Sequence, residues 1–390
     1  MYVTRPLSLY LRDPSALSSP PPEGPNSGVL VIQDEEAVPK FCFGLFKSDL
    51  VSWGLPFPQN KNLMVRYTQQ AGEHQYVHRN RVLFIPVLNQ PLSSNQYYVV
   101  ERKGKHKGEA YINSKEEDMK TCCFCACISD LKPQPLDPRN IYQQFEIRRK
   151  WGGFAAKSVA SDGFPPIFLR RKGWQVFTST SKEFQLNEAP GLNTALRARL
   201  PDFNFPLSQK CSKPVVAGKW YCPFMFIKEG TALKDQVKYS TYYEMKLEQQ
   251  WEQIFACENM YNEGNTVTVD VVVECEAVTI GGTGAVAGRK DVVDGVMWFR
   301  SFNRVTGETS VGLRMEIVER MKWVQGIGGA SGDEREVRVK RNEVFDGEGK
   351  WRKFGCYVLV ERFALKRMDG SLLLTYDFSH PHRIRSRWEL

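Results

Sequence analysis

The stretch YSTYYEMKLEQQWEQIF, Tyr239 to Phe255, decides how this chain of 390 residues is read. Tyr239, Tyr243, Leu247, Trp251 and Phe255 recur every four residues, with Ile254 beside the last. On a 3.6-residue helix these positions form one apolar stripe, opposite Glu244, Lys246, Glu248, Gln249, Glu252 and Gln253. Thr241 and Glu244 stand at capping-box spacing, which would satisfy the first-turn amides. The pattern predicts an amphipathic helix over about 239–258.

Beyond it the period changes to two. Val267, Val269, Val271, Val273, Cys275 and Ala277 alternate with mostly polar residues, as in a long half-buried strand. Val311, Leu313, Met315 and Ile317 repeat the alternation, followed by Met321 and Trp323, and Phe354, Cys356, Val358 and Val360 begin a third run. Asp369-Gly370 between two apolar triplets marks a hairpin. Short connections imply antiparallel pairing. The expected fold is α+β: mainly antiparallel β sheets in two lobes, with the 239–258 helix packed on the C-terminal sheet.

The first half is richer in turns. Residues 14–28 (PSALSSPPPEGPNSG) read as an extended arm. Val29–Ile32, Leu63–Tyr67 and Arg81–Val87 read as strands, and Cys42–Trp53 shows weak helical spacing. Tyr97–Glu101 and Glu109–Asn113 flank a basic hairpin tip, Arg102 to Gly108, read as solvated surface. PQPLDP at 133–138 is a rigid linker. Leu192–Leu200 reads as a short helix and Trp220–Lys228 as an apolar strand. The expected division is 1–28, 29–132, 133–215 and 216–390.

The net charge of +9 is uneven. Between Lys132 and Val215 there are 14 Lys/Arg and 6 Asp/Glu, a balance of +8. Arg148, Arg149 and Lys150, together with Arg170, Arg171 and Lys172 at a second basic tip, form a candidate anion-binding surface for nucleic acid or lipid headgroups. A solvated face has the same composition. No export signal or apolar run long enough to cross a membrane is present, so a cytoplasmic location, with or without the nucleus, is expected.

Cys122, Cys123, Cys125 and Cys127 are the densest thiol cluster. A closed zinc site needs four ligands, and no second C-x-x-C or suitable histidine pair is present. Buried structural thiols are the expected role, with reversible acylation and metal binding as alternatives; no cofactor or metal is expected. His74 and His78 suit one helix face but lack the glutamate of a metalloprotease motif. The glycine-rich stretches 281–288 and 326–332 lack the following helix or the lysine that nucleotide binding requires. Glu319 falls by alternation on the apolar face of Met315, Ile317, Met321 and Trp323, which makes it the one catalytic candidate, or else a paired carboxylate.

Several motifs together resemble a plant-restricted family of uncharacterised proteins, labelled domain of unknown function 1262. They are the opening MYVTRPLS, PPPEGPNSG at 20–28, Asp34-Glu35-Glu36-Ala37, Cys122-Cys123, PLDP at 135–138, YQQFEI at 142–147, RRKGWQVF at 170–177, APGLN at 189–193, WYCPF at 220–224, the Tyr242-to-Glu252 segment and VERMKW at 318–323. The resemblance spans nearly the whole chain. It implies a plant protein whose start is not a removed transit peptide, and it supplies no activity or catalytic residues. The reading that follows is a non-catalytic binding or scaffold protein with protein partners, acting in stress or defence. An enzyme with a dispersed site and an anionic-surface binder are the alternatives.

Overall fold

A computed structural model describes all residues except 23, 39, 42–45, 48–53, 123–124, 261–263, 287–291, 305–306 and 328–334. Strands dominate, and the chain divides into two compact units: Met1–Ala189 with Tyr221–Tyr243, and Pro190–Trp220 with Glu244–Leu390.

The expected central helix does not form. Tyr242–Glu258 is a 17-residue strand paired within a sheet. A spacing of four is also two strand periods, so the aromatic series alone fits both geometries. The intervening Met245 and Gln249 settle it, because both are buried on the same face as Tyr243, Leu247 and Trp251. Glu244, Lys246 and Glu248 on the other face are half-buried. Glu244 is held by Lys219 at 2.9 Å and Lys246 at 2.9 Å. The α+β class therefore gives way to a mainly β fold without the central 239–258 helix.

The second unit is built on strands in the order Gly307–Arg314, Val296–Asn303, Thr283–Val286, Glu276–Ile280, Leu372–Glu389, Lys353–Arg367 and Tyr242–Glu258, antiparallel from the first through Lys353–Arg367. Asp369-Gly370 turns the longest hairpin, as expected, with Gly370 at φ 86°. Thr266–Glu274 pairs with Glu336–Val344 as a separate ribbon. The expected strand through Met315 to Trp323 is instead a helix, Met315–Ile327. Ile317, Met321 and Val324, spaced four and three, bury its inner face. Trp251 is 1% exposed among Leu207, Tyr357 and Leu359, and its Nε1 donates to the Pro201 carbonyl at 3.0 Å.

In the first unit Tyr2–Pro6 runs parallel to Gly28–Ile32, so the sheets are mixed rather than purely antiparallel. Six further antiparallel strands are ordered Gly153–Ser158, Gln144–Lys150, Gln96–Glu101, His74–Pro86, Lys61–Ala71 and Gln175–Thr180. The two outermost meet at an antiparallel bridge between Phe154 and Trp174, which curls the sheet closed and covers its edges. Phe57, Phe84, Val99, Ile147, Phe154 and Trp174 fill the interior. Buried Trp174 keeps its Nε1 satisfied by donating to the Leu169 carbonyl at 2.9 Å.

Candidate functional site

Alternation along the strands of the first unit sends Leu63 and Val65 inward, and Met64 and Arg66 outward. Across the ladder Arg66 lies opposite Arg79, and Met64 opposite Arg81. Two guanidinium groups directly opposite each other repel. Arg66 is partly accommodated by stacking over Phe177, 5.3 Å from the ring centroid.

The 102–108 loop adds to this charge. Arg102 N donates to the Arg81 carbonyl at 2.9 Å, and Gly108 N donates to the Glu101 carbonyl at 2.7 Å, folding the loop back on its own strand. Arg102, Lys103 and Lys107 thus meet Arg81 around a cleft of about 560 Å³, also lined by Asn62, Met64, Phe177, Ser179 and Glu183. A second hollow of about 450 Å³, lined by Arg79, Glu101 and Tyr111, shares Met64, Arg81 and Lys103 with it.

Arg102 is committed: it pairs with Glu183 and lies over the Phe184 ring at 5.7 Å. Among the described residues Arg79, Arg81, Lys103 and Lys107 take part in no ion pair. Burial pushes the Lys107 ammonium below its ordinary pKa, opposed by the nearby Glu183 carboxylate. Burial, then the Glu101 carboxylate, push the Tyr111 phenol up, so it stays a neutral donor. The cleft offers guanidinium forks, ammonium groups and neutral donors in a space the size of a small-molecule site, which suits a compact anion.

The six basic residues singled out in the sequence come together elsewhere on the same unit. The turn after Lys150 and the turn after Lys172 interlock: Phe154 N donates to the Trp174 carbonyl at 2.8 Å, and Gly173 N to the Phe154 carbonyl at 2.9 Å. Ile167–Arg170 is a short helix that leads into the second tip. Arg148 is held by Glu146 at 2.7 Å, and the Arg171 guanidinium lies 4.9 Å from the Tyr67 ring centroid. Arg149, Lys150 and Lys172 are exposed, whereas Arg170 is half-buried.

Glu319 sits on the exposed side of the Met315–Ile327 helix, so the alternation that placed it on an apolar face does not hold. His74 and His78 lie on a strand, not a helix. Met119–Cys122 and Cys125–Ile128 pair as a short hairpin. Cys123, and the side chains of Cys122 and Cys125, lie outside the described residues, while Cys127 is free and exposed rather than buried. Among the described residues no group of three or more His, Cys, Asp or Glu is arranged to hold a metal. Gly281-Gly282 is the turn of a hairpin, with φ of 55° and 82°; residues 287–288 and 328–332 of the glycine-rich stretches lie outside the described residues.

The strongest charge burial is in the second unit. Glu361, 2% exposed, accepts from Arg197 Nε at 2.7 Å, from Arg197 Nη2, and from Gln249 Nε2 at 2.8 Å. His380 Nε2 stands 3.4 Å from Glu361 Oε2, and Arg197 Nη1 donates to the Val324 carbonyl at 2.8 Å. Burial alone would raise the Glu361 pKa; His380 and Arg197 overcome it and hold the carboxyl well below its usual range. Sequence reading missed this pair because Glu361 lies in an apolar strand and Arg197 far from it in the chain. It also missed Arg66, Arg79 and Arg81, whose recurrence on alternate strand positions was the available signal.

Residues 23–124 match the family described as "Protein of unknown function (DUF1262)". No curated protein matches the sequence. Among solved structures the chain is similar to the crystal structure of Cry35Ab1, at 12% identity and a TM-score of 0.49, over 85% of this chain and 90% of that one. Residues 23–124 thus carry a domain of unknown function, and the cleft residues Asn62 to Lys107 fall within it.

Proposed function

We propose that this is a non-catalytic binding protein whose first unit captures a compact polyanion in the cleft around Arg81 and Lys103. The observation that carries this reading is the gathering of Arg81, Lys103 and Lys107, none in an ion pair among the described residues, around about 560 Å³, with Arg79 lining the adjoining hollow and lying opposite Arg66 across one ladder. An anion bridging Arg81, Lys103 and Lys107 relieves the repulsion among these cations and offsets the desolvation that depresses Lys107. Phosphate or sulfate esters fit best, because the donors are guanidinium and ammonium groups supported by Ser179 and Asn62. The setting proposed is the interior of a plant cell, in stress or defence. The motif resemblance and the six free cysteines whose side chains are described support that setting.

Calorimetric titration of the full chain with inorganic phosphate, then with inositol hexakisphosphate, tests the reading. Saturable binding of the polyanion at low salt is expected, and Arg81→Ala with Lys103→Ala should weaken it about tenfold or more. No binding of either probe, or undiminished binding by the double variant, overturns it.

A further inference from the structure

We propose that the interlocked turns beside Lys150 and Lys172 are a docking tip for an anionic phospholipid surface. Trp151 lies at the apex of the Lys150–Gly153 turn and is 102% exposed, as open as in an unfolded chain. An indole left wholly in water is unfavourable, whereas the headgroup layer of a bilayer takes both its apolar body and its N–H. The turn that presents it is firmly held. Besides the two bonds already described, Trp174 N donates to the Phe154 carbonyl at 3.2 Å. A Cβ on Gly153 would stand 2.2 Å from the Trp174 carbonyl oxygen, so the two turns pack backbone to backbone. Gly152 takes the left-handed conformation, φ 81°, that the reversal requires.

Three exposed cations stand in the two turns that carry the indole. Arg149 and Lys150 precede it, and Lys172 comes from the partner turn, whose Gly173 lies against the Trp151 carbonyl. None of the three takes part in an ion pair among the described residues, in contrast to Arg148. Cations beside a projecting aromatic match the negative potential of an anionic leaflet. Single-stranded nucleic acid fits less well, because it calls for a groove with successive stacking platforms, and here one ring stands at a convex apex. The tip shares no residue with the Arg81–Lys103 cleft, so this inference stands apart from the proposed ligand.

The test uses the full chain and co-sedimentation with phosphatidylcholine vesicles, with and without phosphatidylserine. Binding only to the phosphatidylserine vesicles, weakening with salt, is expected. Trp151→Ala, and Lys150→Glu with Lys172→Glu, should each reduce it about tenfold or more. Arg81→Ala with Lys103→Ala should leave it unchanged. Brominated lipid should quench part of the emission of the wild type but not of Trp151→Phe, which identifies the inserted ring among nine tryptophans. Failure to bind either vesicle, equal binding to both, or binding that survives Trp151→Ala would overturn the proposal. So would binding of a single-stranded DNA oligonucleotide that Trp151→Ala abolishes while vesicles are ignored.

Discussion

Trp251 and Trp151 each stand close to arginine, yet their surroundings differ in every other respect. Trp251 is 1% exposed, packs edge-on against Phe203 at 5.4 Å, and lies under the Arg385 guanidinium at 4.9 Å. Trp151 is fully exposed beside Arg149 and Lys150. The same contrast holds for charge. Arg197 of the second unit is locked to Glu361, whereas among the described residues Arg79 and Arg81 of the first take part in no ion pair. A buried charge or indole N–H must be satisfied internally, so its partners are fixed by folding. Exposed groups carry no such obligation and remain available to something outside the chain.

The largest test of this contrast is truncation of both rings. Trp251→Ala removes a buried side chain, leaves a cavity and orphans the Pro201 carbonyl; we expect a loss of about 3–5 kcal/mol in urea unfolding. Trp151→Ala should stay within about 0.5 kcal/mol of wild type. A large loss in the second variant would mean that the tip is part of the framework.

Glu361→Gln comes next. Uncharging one partner of the buried pair leaves Arg197 uncompensated, at a cost of about 3 kcal/mol near neutral pH. The folded-state pKa of Glu361 is depressed, so its contribution is fully present above the unfolded carboxylate range and is lost as pH falls through the folded value. The difference between wild type and Glu361→Gln should therefore shrink as the unfolding titration is taken below the ordinary glutamate value of 4.5. A constant difference would show that the cost arises from packing. The smallest effect belongs to the pair of arginines opposed across the ladder. Arg66→Gln should stabilise the chain by a few tenths of a kcal/mol at low salt, and salt should erase the gain, because it removes the repulsion from Arg79.

How much of this was legible follows from which periods are unambiguous. The Val267–Val273 alternation and the Asp369-Gly370 turn each admit one geometry, and both formed as read. The series Tyr243, Leu247, Trp251, Phe255 admits two, and reading it as a helix misplaced the core of the second unit. Trp251 was still correctly taken as buried, since burial follows from the ring whichever element carries it. Met315 to Trp323 failed in the opposite sense. The strand period gives way to a helical one already at Met315, so Glu319 lies one turn inside the helix on its exposed side. The six basic residues were visible as sequence runs, but the meeting of the two turns that carry them depends on the bridge between Phe154 and Trp174. The cleft was less visible still, since its arginines are scattered over strands that pair only in the folded chain.

That bridge has a consequence for the order of assembly. The other strand pairs of the curled sheet are joined by ladders several residues long, whereas Phe154 and Trp174 meet at a single bridge backed by packing of their rings, 5.3 Å apart. It acts as a latch, because it can close only when the 144–158 hairpin and the Gln175–Thr180 strand, paired with Lys61–Ala71, are both in place. The Lys150 and Lys172 turns face one another only when the latch is shut. An unlatched chain keeps every basic residue and Trp151 but displays no tip, so the surface exists as a property of the closed barrel and of no shorter segment.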